Sequence, residues 1–221
     1  MKKLEHRYDD IYRAGSLVEP TSVAYNAVIE RGGGIRPGEN VVILGAGPIG
    51  IAAVSILKTA GASVCIVSEP EKNRASLAKK MGADYVINPQ KEDFVEKVKE
   101  YTDKDGAALY LEATGLPNIV TDNIQKAIWE CKAVNSTLVI VARAEERMPI
   151  IGEYFQVRRA KIVGAQGHSG HGSFPNVISC MAAGMDMTPM LTKEISLEDI
   201  PKNLKLLQTD KNNCKISVKI R

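Results

Sequence analysis

Six short apolar runs rich in β-branched residues alternate along this chain with segments of helical periodicity. Parallel strands need long crossover connections, which are usually helices, and they are buried on both faces. The alternation therefore predicts a parallel sheet covered by helices on both sides. The predicted strands are 41–44, 63–67, 84–87, 108–113, 136–142 and 161–166. We expect a doubly wound, six-stranded α/β sheet over residues 40–166.

The segments between these strands have the periodicity of helices. Residues 48–60 are apolar nearly all round, as expected for a helix buried against the sheet, and Gly61 is placed to end it. Two later segments carry apolar stripes at helical spacing. These stripes are Ala75, Leu77, Ala78 and Met81, and Phe94, Val95, Val98 and Tyr101.

Two extensions flank the predicted sheet, residues 1–39 before it and residues 167–221 after it. The first contains a helical pattern at 16–31 that starts at a Glu-Pro step. The second has two predicted helices and ends in a run, 214–220, that alternates like an edge strand. The helices lie at 175–184 and 197–208, and the later one carries Leu197, Ile200, Leu204 and Leu207 on one face, with Ser196 or Asp199 as its cap.

Composition limits the partners. The chain has 29 basic and 26 acidic residues, and the formal charge of +3 is too small to indicate a nucleic-acid or anionic-membrane surface. No apolar stretch has the length of a membrane span, and the first ten residues lack the core of a signal peptide. We expect a soluble, cytoplasmic protein with a small-molecule partner. The cysteines at 65, 131, 180 and 214 form no C-x-x-C pair, which favours reduced thiols over a zinc ribbon or dithiol site.

The sequence VVILGAGPIG at 41–50 places three glycines between the first strand and the first helix. Gly45 permits the tight turn, Gly47 lets the backbone approach a diphosphate, and Gly50 lets the helix pack close to the strand. Pro48 suits the first turn of that helix. The spacing alone also occurs in ordinary glycine-rich turns, but the strand before it and the helix after it favour a dinucleotide site.

An acidic residue is expected about 20 residues further on, at the end of the second strand. Glu69 has that position. A carboxylate there accepts hydrogen bonds from the ribose hydroxyls and repels a 2'-phosphate, so NAD is favoured over NADP; a solvated loop residue is the alternative. Arg74 is placed to stack on adenine or to accept a 2'-phosphate, unless it is only a helix-surface arginine. A methyltransferase also uses a glycine loop and an acidic residue, but the Pro-Ile-Gly continuation is typical of dinucleotide binders.

The segment at 35–87, which includes GAGPIG and AKKMGADYVI, resembles the coenzyme domain of the zinc-dependent medium-chain alcohol and polyol dehydrogenases. The sequences LVEPTSVAYNAV at 17–28 and YLEATG at 110–115 are also similar to that family. Its sorbitol, threonine and cyclitol members are the nearest in pattern. The resemblance implies a Rossmann domain that binds NAD, and hydride transfer between a secondary alcohol and the nicotinamide.

The resemblance also implies roles for single residues. Glu19, in the Glu-Pro step, falls where polyol dehydrogenases place a carboxylate at or beside the catalytic zinc. On the residues alone, an acidic residue before a proline is a helix-start device. The other positions implied for the cofactor are Val23 and Ile49 near the nicotinamide, Thr114 near the adenosine, and the backbone of Val141, Ala142 and Arg143 at the carboxamide.

The family's other zinc ligands, a cysteine and a Gly-His-Glu step, have no counterpart in this sequence. We therefore expect a part of a longer or divided enzyme that binds NAD but is inactive alone and does not hold zinc by itself. His168 and His171 stand in a glycine loop, which fits a loop beside the nicotinamide; a metal site or proton relay is the alternative. The family also implies a homodimer through the sixth strand, at 161–166. A non-catalytic nucleotide-binding or sensory module is the alternative function.

Overall fold

The computed structural model describes residues 2–168, 172–207 and 209–220. Its centre is a six-stranded sheet in which each strand runs parallel to its neighbours, in the order β3-β2-β1-β4-β5-β6. The predicted doubly wound sheet is confirmed. The strands are β1 Val41–Leu44, β2 Cys65–Ser68, β3 Tyr85–Ile87, β4 Leu109–Glu112, β5 Thr137–Ile140 and β6 Lys161–Gly164.

Five of the six strands are shorter than predicted, and β1 alone among the six has its predicted bounds. The predictions of 136–142 and 161–166 continue into residues 141–142 and 165–166, which lie outside the observed strands. Ala165 and Gln166 follow the end of β6 and line a cavity there. The predicted second strand also began at residue 63, whereas β2 begins at Cys65.

Helices cover both faces of the sheet. Those on or beside it are α1 Ile11–Gly15, α2 Val18–Tyr25, α3 Pro48–Thr59, α4 Lys72–Lys80, α5 Phe94–Tyr101, α6 Pro117–Ile119, α7 Gln125–Glu130, α8 Gly152–Arg158 and α9 Ser173–Ala183. Strand β1 shows the layering. Val41 and Ile43 pack in one core with α2, α3 and α9, while Val42 and Leu44 pack in the other with α5 and α7. All four side chains are fully buried, as expected for a central parallel strand.

The helix predicted at 16–31 is a composite. An unpredicted helix α1 precedes it, α2 ends at Tyr25, and the backbone then widens into a π-helix at Asn26–Arg31. π-helical turns are rare in proteins, and those that do occur are often found at functional sites. This turn carries Asn26 and Arg31 to the carboxyl end of the sheet, where both line a cavity.

The carboxy-terminal segment forms a second, smaller sheet. The strand predicted at 214–220 is β8 (Lys215–Val218), and it pairs in parallel with β7 (Leu191–Ile195), which the sequence analysis missed. β7 was missed because Lys193 and Glu194 interrupt its apolar alternation. Helix α10 (Ile200–Leu207) lies between these strands in the chain, and its predicted apolar face is open, with Leu204 60% exposed.

The described residues contain no helix long and apolar enough to cross a bilayer. All four cysteines are free thiols, and Cys65, Cys131 and Cys214 are buried. Burial raises the pKa of Cys65 to about 12. It also raises the pKa of Cys131 and of Cys214 to about 11. These three thiols are therefore protonated and unreactive near neutral pH.

Candidate functional site

The turn from β1 into α3 leaves backbone N–H groups without partners in the helix. Gly45 has a φ of +96°, and its N–H donates to the Ser68 carbonyl at 2.9 Å. Gly47 is the N-cap of α3, Pro48 occupies the first turn, and no side chain caps the helix. The first N–H groups of a helix lack intrahelical acceptors, and the helix dipole adds positive potential there. Such a terminus is suited to bind a phosphate.

The three glycines of the turn face different surroundings. A β-carbon on Gly50 would lie 1.9 Å from the Gly45 carbonyl oxygen, so close packing of α3 on the turn requires glycine. A β-carbon on Gly45 would lie 3.0 Å from the Ala113 carbonyl oxygen, and the positive φ disfavours any other residue. A β-carbon on Gly47 would meet no atom within 4 Å. Gly47 therefore faces open space, on the side where the sequence places the diphosphate.

Glu69 directly follows β2 and is only 4% exposed. One carboxylate oxygen accepts the N–H of Ala46 at 2.8 Å, and the other accepts the N–H of Glu71 at 2.9 Å. The solvated-loop alternative for Glu69 is therefore wrong. A carboxylate has about four acceptor positions, so two remain for other donors. Its bond to the glycine turn was not anticipated, because it joins residues 23 apart in the chain.

A cleft of about 570 Å³ joins the glycine turn to the end of β2. Five of the predicted cofactor residues line it: Gly45, Gly47, Glu69, Arg74 and Thr114. The Nε of Arg74 donates to the carbonyl of Lys211 at 3.1 Å, which brings the carboxy-terminal segment to the cleft. Lys211 also lines the cleft. The sequence analysis missed Lys211, and no local pattern identifies it.

Glu112, the last residue of β4, is a second functional candidate that the sequence analysis missed. It is 1% exposed, and one oxygen accepts the N–H groups of Thr114 and Gly115 at 2.6 and 2.9 Å, together with the Thr114 hydroxyl at 2.5 Å. Its other oxygen is buried without a partner among the described residues. An acidic residue closing an apolar strand is the signal that could have found it. Glu112 fixes the turn that presents Thr114 to the cleft.

The next turn, after β5, contains the three residues predicted at the carboxamide. The N–H groups of Val141 and Ala142 donate to the Glu112 carbonyl at 3.1 and 3.4 Å. Both residues are half-buried, whereas Arg143 is exposed and pairs with Glu145 at 3.4 Å. The turns after β4 and β5 are therefore held together through Glu112.

A second cavity, of about 580 Å³, lies at the ends of β5 and β6. The Nδ2 of Asn26 donates to the Gly167 carbonyl at 3.1 Å, and the Nε of Arg31 donates to the Gly164 carbonyl at 3.3 Å. His168 also lines this cavity and contacts the ring of Phe174 edge-on, with ring centroids 4.7 Å apart. The predicted partner His171 lies outside the described residues.

Seven of the twelve predicted cofactor residues lie outside the lining of these two cavities: Val23, Pro48, Ile49, Gly50, Val141, Ala142 and Arg143. Pro48 and Ile49 are half-buried in the first turn of α3, and Ile49 packs against the core. Val23 is half-buried in α2. The contact of Val23 and Ile49 with a nicotinamide stays a prediction.

Glu19 lies in the first turn of α2 and is exposed. No group of three His, Cys, Asp or Glu side chains in the described part of the chain could hold a metal ion. A structural or catalytic zinc needs three or four protein ligands. The described residues therefore do not fit a complete zinc site.

Comparison with known proteins gives the family. A family model described as "Zinc-binding dehydrogenase" matches residues 48–183. The chain is 60% identical over 220 residues to scyllo-inosose 3-dehydrogenase of Thermotoga maritima, covering 99% of this chain and 56% of that enzyme.

Solved structures agree with this assignment. A structure assigned to an alcohol dehydrogenase from Thermotoga maritima matches with a TM-score of 0.97 at 60% identity, covering 99% of this chain and 56% of that one. The 2R,3R-butanediol dehydrogenase of Bacillus subtilis matches with a TM-score of 0.83 at 30% identity, covering 95% and 58%. The chain thus spans little more than half the length of these relatives. It belongs to the zinc-binding dehydrogenases, the zinc-dependent medium-chain alcohol and polyol family, and corresponds to their coenzyme-binding carboxy-terminal part.

Proposed function

We propose that this chain is the NAD(H)-binding part of an alcohol or polyol dehydrogenase. The observation that carries the proposal is the uncapped start of α3, where Gly47 faces open space and the buried Glu69 carboxylate lies beside the same turn. The helix terminus favours a diphosphate, and the free acceptor positions of Glu69 suit ribose hydroxyls. Bound NAD supplies the hydride acceptor of the reaction.

We further propose that the cofactor is NAD rather than NADP. Glu69 is buried and directed toward the loops that line the cleft, so a 2'-phosphate would bring like charges together. Arg74 offsets this repulsion in part. The nicotinamide end would lie toward the cavity of Asn26 and His168, with the Val141–Arg143 turn between the two ends.

Thermal unfolding with NADH and NADPH tests this proposal. A ligand at about 100 times its Kd stabilises a protein by about 2.7 kcal/mol. For a chain of this size, that corresponds to a rise in Tm of about 5–10 °C. We expect this rise with micromolar-affinity NADH, a smaller one with NADPH, and none with zinc alone. Equal shifts with NADH and NADPH would contradict the role of Glu69, and no shift with either would refute the proposal.

The substrate proposed for the whole enzyme is a secondary alcohol of the polyol or cyclitol class, by similarity to the Thermotoga enzyme named above. In such an enzyme, Glu19 would contribute to a zinc site completed by ligands outside this chain. A chimaera tests this idea, with this chain replacing the matching 56% of that relative. We expect scyllo-inosose-type alcohols to reduce NAD, and a Glu19→Ala chimaera to lose most of the activity.

One observation favours a second candidate, a non-catalytic nucleotide-binding module. Glu19 has no cluster of metal-ligating groups around it among the residues that the structure describes. A chimaera that binds NADH normally but transfers no hydride would favour this module over the dehydrogenase.

We also propose a homodimer through β6. This strand is one edge of the sheet, and Ile162 is 40% exposed on it. An exposed apolar edge strand favours pairing with a second copy. Sedimentation that shows a monomer at high concentration would contradict this proposal.

A further inference from the structure

The loop Asp210–Asn213 connects α10 to β8 and lies against the coenzyme cleft, far from it in sequence. Two hydrogen bonds fix it to the first turn of α4. The Nε of Arg74 donates to the Lys211 carbonyl at 3.1 Å, and the Nδ2 of Asn73 donates to the Asn212 Oδ1 at 2.5 Å.

The loop is also ordered by its own first residue. One oxygen of Asp210 accepts the N–H of Asn212 at 2.8 Å, and the other accepts the Nδ2 of Asn213 at 2.6 Å. The Asp210 carboxylate is therefore engaged within the loop, and the hydrogen bond from the Asn212 N–H lowers its pKa below the usual range. Lys211, between them, is exposed and is one of the residues that line the cleft.

The charges that line the cleft show why this lysine matters. Glu69 and Glu71 contribute two carboxylates, and Arg74 and Lys211 contribute two cations. Without Lys211, the lining would carry a net negative charge against a ligand whose diphosphate carries two negative charges. The amino terminus of α3 provides only partial positive charge. A further cation in the lining makes the cleft electrostatically complementary to the ligand.

We propose that Lys211 is a cofactor-binding residue. Its ammonium offsets the Glu69 and Glu71 carboxylates, so that the cleft accepts the dianionic diphosphate of NAD at the amino terminus of α3. Through this contact, the carboxy-terminal segment contributes to the cofactor site. The proposal rests on the proposed function of the cleft and adds a residue from outside the matched family region, which ends at residue 183.

Calorimetric titration of the whole chain with adenosine, ADP and NADH tests this proposal. Lys211→Gln removes the charge but keeps a polar side chain of similar length. We expect it to weaken ADP and NADH binding by about fivefold, the scale of one solvent-exposed charge contact, and adenosine binding by less than about twofold. The loss should shrink as salt is added, because exposed charges are screened.

Three further variants make the result specific. Lys211→Arg should restore binding. Lys205→Gln, which removes an exposed lysine from α10, should leave binding unchanged. Asn212→Ala keeps the lysine but removes one tether, and it should weaken ADP binding by about twofold, since a freer lysine loses more entropy on contact.

The outcomes separate this inference from the function on which it rests. If the wild-type chain binds ADP and Lys211→Gln binds it equally well, the role of Lys211 is refuted and the NAD site stands. An equal loss for adenosine, or an equal loss in Lys205→Gln, also refutes it, because the effect would not come from a charge on the diphosphate. If the wild-type chain binds neither ADP nor NADH, the proposed function fails and this inference fails with it.

Discussion

The glycine turn can be tested at the two positions where its requirements differ most. In Gly50→Ala, the new β-carbon would lie 1.9 Å from the Gly45 carbonyl oxygen and 3.0 Å from the Gly45 carbonyl carbon. Both contacts are backbone, so α3 and the turn must separate by about 1 Å to reach the 3.0 Å limit of real contacts. Overpacking of this kind costs about 1–3 kcal/mol, and we expect the upper end because no side chain can move aside.

The expected free-energy loss of about 3 kcal/mol should lower Tm by about 6–12 °C in a chain of this size. Urea denaturation measures the free energy directly, and NADH fluorescence measures the affinity. Because the turn itself is displaced, NADH binding should weaken together with stability. A Gly50→Ala protein as stable as wild type would refute the packing argument.

Gly47→Ser is the matched contrast. The backbone of Gly47 has φ −71°, which any residue adopts, and its β-carbon position is open. Serine is a better N-cap than glycine by a few tenths of a kcal/mol, so stability should be unchanged or slightly higher. Its side chain would fill the space in front of the α3 terminus, and NADH affinity should fall by about tenfold or more, since an anion loses those N–H donors. Normal NADH binding in this variant would mean that the diphosphate lies elsewhere.

Three further changes test other parts of the molecule. Glu69→Gln removes the charge that repels a 2'-phosphate but keeps an acceptor for the Ala46 N–H, so the NADPH/NADH affinity ratio should rise by about fivefold in parallel titrations; an unchanged ratio would contradict the charge argument. Glu112→Ala removes the acceptor of three hydrogen bonds and should lower the urea-measured free energy of unfolding by about 3 kcal/mol, whereas Glu112→Gln, which keeps an oxygen, should lose less. Ile162→Lys places a charge on the open edge of β6 and should convert a dimer to a monomer in sedimentation, and a persistent dimer would place the interface elsewhere.

The central sheet was predictable because a strand that is buried on both faces has a continuous apolar sequence. β1 is such a run, and its predicted bounds, 41–44, match the structure. The helix after it was predictable for a related reason: Pro48 and Gly61 mark its ends, and its residues are apolar all round. Strand β7 lacks this signal, because it lies in a two-stranded sheet with one face toward solvent and carries charged residues in its middle.

The parts of the site that sequence reasoning missed depend on contacts between distant segments. The bond from Arg74 to Lys211 joins residues 137 apart, and the bond from Asn26 to Gly167 joins residues 141 apart. No local period or spacing encodes such pairs. The glycine motif predicts which residues contact the diphosphate, because those requirements are local to one turn. It missed the residues that hold the turns in place.

Glu69 shows why these two classes of residue are not independent. The carboxylate predicted to read the ribose is also the acceptor that ties the glycine turn, through Ala46, to the loop after β2, through Glu71. A substitution that alters cofactor preference therefore also alters the turn that binds the diphosphate. Glu69→Gln keeps one acceptor and should change mainly the ratio of the two affinities. Glu69→Ala would leave the N–H groups of Ala46 and Glu71 without this acceptor. It should weaken the binding of NADH and NADPH alike, because both cofactors place their diphosphate at the glycine turn that Glu69 holds.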